Sequence, residues 1–105
     1  MREVESFVVA ERELLFSLKG KCERQRFAVQ IYSPHLVTAA DVSFAIDSGT
    51  ACCRVVFLGL GESDYLAYGA DTLQALALAV DVDPILRGMS KKYDFFFDSG
   101  ESYFE

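Results

Sequence analysis

Apolar and polar residues alternate along much of the first two thirds of the chain, and a period of two predicts strands. Leu14, Phe16 and Leu18 alternate with Leu15 and Ser17, so Phe7 to Leu18 reads as a strand or a bent strand pair. Lys19-Gly20-Lys21 supplies a turn with a permissive glycine. Phe27 to Ser33 reads as a second strand, with Phe27, Val29 and Ile31 on one face and Ala28, Gln30 and Tyr32 on the other. Pro34 ends it, because proline cannot donate to a ladder. Val42 to Ile46 reads as a third strand and Ala51 to Leu58 as a fourth, joined through the turn Asp47-Ser48-Gly49-Thr50 into the best hairpin candidate. In the fourth, Cys53, Val55 and Phe57 share one side, opposite Cys52, Arg54, Val56 and Leu58. Tyr65 to Tyr68 has room for a short fifth strand.

The period then changes. Asp71 is placed to cap a helix, and Gln74 three residues later has the spacing of a capping box. Leu73, Leu76, Ala77 and Val80 form an apolar stripe at helical spacing, yet Ala75, Leu78, Ala79 and Val82 make the other side apolar too. A helix apolar nearly all round predicts burial on more than one side: against the sheet, and under the carboxyl-terminal segment or another chain. Pro84 interrupts the pattern, either as a kink or as the first position of a short helix capped by Asp83, and Gly88 is the expected stop. Residues 93–105 mix Phe95, Phe96 and Phe97 with acids, and read as a final strand or a docking tail. Strands first and helix late predict an α+β fold: an antiparallel sheet of four to six strands, with one long helix packed on one face, in a single domain over residues 1–105.

Composition agrees with a folded chain. Of 105 residues, 51% are apolar and 25% charged, enough apolar surface to offset the entropy of ordering. No apolar run approaches the ~20 residues of a spanning helix. The start, with Arg2, Glu3 and Glu5, is unlike a signal peptide, so a cytoplasmic location is expected.

Candidate chemistry is sparse. Cys22, Cys52 and Cys53 are odd in number and form no Cys-x-x-Cys pair, and His35 is the only histidine. Neither a disulfide framework nor a zinc site is expected from them, and Cys52 and Cys53 read as small apolar strand residues. His35 lies in no nucleophile motif. Gly59-Leu60-Gly61 lacks the third glycine of a dinucleotide fingerprint, where Asp64 stands, and Glu62 and Asp64 repel phosphate. Asp81 and Asp83, two apart on a helix, do not face each other as an acid/base pair. The expectation is a protein without catalytic residues, metal or cofactor.

Charge changes the picture more. The net charge is −6. Residues 1–30 carry six bases and five acids, whereas residues 31–105 carry four bases and eleven acids. Nucleic-acid binders display basic patches, so nucleic acid is not the expected partner, and a basic protein is. The residues expected to bind it are Asp81, Asp83, Asp94, Phe96, Asp98 and Glu101. The expected function is a non-enzymatic protein-binding module, most concretely an immunity protein that neutralises a cognate bacterial toxin. The alternatives are a structural protein or homodimer joined through the two-sided helix or the Phe-rich tail, and a small ligand-binding domain with a pocket beside Tyr65, Tyr68 and His35.

The stretch Tyr68-Gly69-Ala70-Asp71-Thr72-Leu73-Gln74-Ala75-Leu76-Ala77-Leu78-Ala79 resembles the signature of a small bacterial domain family of uncharacterised role, Gly-x-Asp-Ser/Thr-Leu-Gln-Ala-Leu at a helix start after a run of strands. Ala10-Glu11-Arg12-Glu13-Leu14 is also similar to the beginnings of its members. The resemblance implies a strand end, a glycine turn and a capped helix, and no activity. The Phe-rich acidic tail departs from the short strand and glycine turn with which members end.

Overall fold

Six strands form one antiparallel sheet in the computed structural model, which describes residues 6–37 and 50–104. They are β1 (Val8–Leu18), β2 (Gln25–Tyr32), β3 (His35–Leu36), β4 (Ala51–Leu58), β5 (Tyr65–Gly69) and β6 (Tyr93–Phe96). β1 and β2 pair as a hairpin, with Leu14 facing Phe27. Gly20 sits in its turn at φ +81°, where a side chain would be strained. β2 and β3 lie along the same edge of β4, interrupted at Ser33-Pro34, because β5 takes the opposite edge through the residues that β3 also pairs. From edge to edge the sheet therefore runs β5, β4, β2 with β3, β1, β6. The expected strand Val42 to Ile46 and its hairpin turn lie outside the described residues.

Alternation sets the two faces. Leu14, Phe16, Phe27, Val29, Ile31, Cys53, Val55, Phe57, Ala67, Tyr93 and Phe95 point to one face and are buried together. Aromatic rings dominate one end of this core: Phe16 meets Phe27 at 5.6 Å and Tyr93 at 5.5 Å, both edge-on.

Two short helices cover that face, α1 (Thr72–Val80) and α2 (Asp83–Gly88). The single long helix expected from the apolar pattern is thus corrected to two, of nine and six residues. The cause is Pro84, which has no N–H to give a continuing helix and occupies the first turn of α2 instead. Val82, not Asp83, is the capping position of α2, and Asp83 is its first residue.

The start of α1 follows the expected chemistry. Asp71 accepts the Gln74 N–H at 2.8 Å, while the Gln74 side chain reaches back to the Ala70 N–H. The helix lies very close to the sheet. A Cβ added at Gly69 would stand 2.5 Å from the Ala75 nitrogen. Such an approach admits only small residues, so the face turned to the sheet is Ala75 and Ala79, with Leu76 partly buried beside them.

Candidate interaction surface

The tail turns back on its own chain. Arg12 donates to the Tyr103 hydroxyl at 2.6 Å, and that hydroxyl donates to Asp83. Lys19 pairs with Asp94 and Arg26 with Asp98, each at 2.6 Å. Arg24 donates to the Gly100 carbonyl at 3.1 Å, and its guanidinium lies 3.7 Å from the Phe96 ring centre. Arg12, Lys19, Arg24 and Arg26 are therefore all matched with the segment from Asp94 to Tyr103, as β6 pairs beside β1. Two of the tail's acids, Asp94 and Asp98, thereby meet bases from the first thirty residues.

Of the residues expected to bind a partner, Asp94, Phe96 and Asp98 are engaged in this way, and Asp83 accepts the Tyr103 bond. Glu101 is exposed on the tail, and Asp81 is exposed at the end of α1. Asp81 and Asp83 stand at the helix ends and the other four on β6 and the tail beside β1 and β2, with Asp83 tied to the tail through Tyr103. The tail does not cover α1, although one reading of its aromatics expects it to. Phe104 packs against Arg87 of α2, 4.2 Å from guanidinium carbon to ring centre.

With the two alanines turned inward and Leu76 beside them, the other large residues of α1 face outward. Leu73 is 75% exposed, Leu78 51% and Val80 50%. The apolar stripe read from the sequence exists, and the fold leaves Leu73, Ala77 and Val80 of it in water. Thr72–Val80 carries no charge. Asp71, Asp81 and Asp83, the charged residues next to it in the chain, are all acids, and none has an ion-pair partner among the described residues.

Apolar side chains are exposed on β5 as well. Gly69 lies against the Gln74–Ala75 backbone, so strand end and helix start are in contact. Tyr65 is 45% exposed and Leu66 44%, on opposite faces of the strand. This combined surface of α1 and β5 was half-visible in the sequence. The all-round apolarity of α1 signalled a missing cover, but nothing in the pattern told which side the sheet would take.

Chemical groups elsewhere are quiet. His35 faces Cys52 across the β3–β4 pair, and its Nδ1 is buried without a hydrogen-bond partner among the described residues. Cys53 donates its thiol proton to the Tyr32 carbonyl, 3.0 Å away, and burial, with Cys52 adding to it, pushes this thiol above the usual cysteine range. It is held protonated, the opposite of a nucleophile's state. Among the described residues no cluster of three or more His, Cys, Asp or Glu side chains is arranged to hold a metal ion. A cavity of about 460 Å³ runs beside β6, lined by Lys19, Arg87, Ser90 and Ser102 over aromatic residues. Its two cations are already occupied, Lys19 by Asp94 and Arg87 by the Phe104 ring. No described helix is long and apolar enough to cross a membrane.

No family model matches the chain, and no curated protein and no solved structure is found to be similar to it.

Proposed function

We propose that this protein is a non-enzymatic binding module that holds a protein partner on the surface built by α1 and β5. The observation that carries the reading is the exposed, uncharged face of α1, with Leu73, Leu78 and Val80 in water between acids at both helix ends. Interface cores are apolar and uncharged, and rims are polar. An apolar centre bounded by Asp71, Asp81 and Asp83 fits a partner with an apolar centre and a basic rim. A basic toxin domain held by an immunity protein is the most concrete partner of that kind. A second copy of the chain fits less well, because pairing α1 with itself in either direction sets acids against acids.

The test is capture with a photoreactive side chain at position 73, repeated at position 21 as a distant control. The expected result is a basic protein cross-linked from position 73 alone, and lost with Leu78→Glu and Val80→Glu while thermal stability is kept. Equal capture by the doubly substituted chain sinks the reading. A stable dimer by light scattering that the same substitutions dissolve replaces it with self-association.

A further inference from the structure

We propose that the cavity beside β6 is a binding site for a small aromatic carboxylate, held by the Arg87 guanidinium and the backbone N–H of Phe95. The site is separate from the partner surface on α1 and β5 and does not rest on it.

Strand geometry supplies one donor. Lys19 N–H donates to the Lys92 carbonyl at 2.9 Å, so by alternation Asp94 and Phe96 also turn their backbone groups toward β1. Phe95, between them, turns its N–H and C=O the other way, toward the returning tail. Its carbonyl accepts the Tyr103 N–H at 2.9 Å, and a bridge between Phe96 and Ser102 holds the tail alongside. The reciprocal bond, from the Phe95 N–H to the Tyr103 carbonyl, is not made, and that N–H has no other acceptor among the described residues. Phe95 is 3% exposed and lines the cavity. An unpaired backbone donor at so enclosed a residue is rare, and a bound acceptor removes its cost.

Arg87, in the last turn of α2, supplies the others. The Phe104 ring takes one face of its guanidinium, 4.2 Å from guanidinium carbon to ring centre. Stacking fixes the plane of the group and leaves the N–H donors at its edge available. Among the described residues the Arg87 side chain makes no hydrogen bond and no ion pair.

The lining selects the ligand. Lys19 and Asp94 pair at 2.6 Å and neutralise each other, which leaves Arg87 as the uncompensated charge of the lining. That balance suits a single negative charge, and Asp94 opposes a doubly charged phosphate. A carboxylate presents two oxygens in one plane, which match the donors at a guanidinium edge and accept strongly from a backbone N–H. Phe95, Phe96 and Phe104 supply aromatic walls, and about 460 Å³ is within the range of small-molecule sites. The carboxylate is therefore carried on a flat, apolar body.

The test titrates naphthoate into the full chain, beside naphthamide, which has the same rings and no charge. Backbone amide signals are followed residue by residue. Saturable shifts are expected at the Phe95 and Ser90 amides. Naphthamide is expected to bind about tenfold more weakly, through loss of the charge-assisted bonds. Arg87→Gln is expected to weaken naphthoate by a similar factor, with its melting temperature showing that it folds. The comparison of the two ligands uses the unsubstituted chain and so stands without the variant. No saturable shift at millimolar naphthoate, equal binding of naphthamide, shifts centred on α1, or full affinity in a folded Arg87→Gln chain each overturn the site.

Discussion

The Tyr93 hydroxyl donates a hydrogen bond to the Glu62 carboxylate at 2.6 Å, tying the loop after β4 to the first residue of β6. The bond holds Glu62 below its ordinary value of 4.5, with Lys92 helping, and raises Tyr93 above its ordinary 10.0. A lowered carboxyl adds stability above its unfolded value, which is lost as pH falls through the folded one. A raised phenol adds stability below its unfolded value, which is lost as pH rises through the folded one. Thermal melts from acid to alkali should show both losses. Tyr93→Phe should cost ~1 kcal/mol at neutral pH and shrink both limbs. Tyr103, raised by burial and then by its bond to Asp83, should keep part of the alkaline loss.

The pairs joining the tail to β1 and β2 are exposed, and exposed pairs contribute ~0–1 kcal/mol each. Asp98→Asn should therefore lower stability in denaturant titrations by less than ~1 kcal/mol. Phe95→Ala removes a ring that is fully enclosed among Phe27, Tyr93 and Phe104, and should cost ~3–5 kcal/mol. Together these place the hold on the tail in its aromatics, with the charges setting its alignment.

Two glycine substitutions separate two physical causes. Gly20→Ala puts a side chain into a left-handed turn with open space around it, and should cost ~1 kcal/mol. Gly69→Ala drives a Cβ into the backbone of Gln74 and Ala75, which have no flexible end to yield. It should cost ~1–3 kcal/mol and displace the start of α1, visible as shifted amide signals from Thr72 to Leu76.

Leu73→Glu should leave stability within ~0.5 kcal/mol, because the leucine is in water and an acid in the first helical turn suits the helix dipole. Asp71→Ala, a few ångströms of chain away, should cost ~1 kcal/mol through the lost cap. The contrast in melting temperature separates a residue that caps the helix from one available to a partner.

Local signals in the sequence carried well where the chemistry itself is local. The period of two in Ala51–Leu58 names both faces of β4 correctly, and Asp71 caps the helix it was expected to cap. The failures were of other kinds. Breaking one helix into two depended on whether the chain past Pro84 bent or restarted, which is a matter of what it packs on. The inward face of α1 was chosen by the closeness of Gly69, a contact between elements that no period reveals. The acids of the tail looked available because their bases, Lys19 and Arg26, lie more than seventy residues away in the chain.

The pairing of β1 with β6 has a consequence for how the molecule is made. β1 is made before its outer neighbour, which is synthesised roughly eighty residues later, on the order of ten seconds at ordinary elongation rates. During that interval Leu15 and Phe16 border an unfinished sheet, and the nascent chain holds an adhesive margin until β6 arrives to seal it.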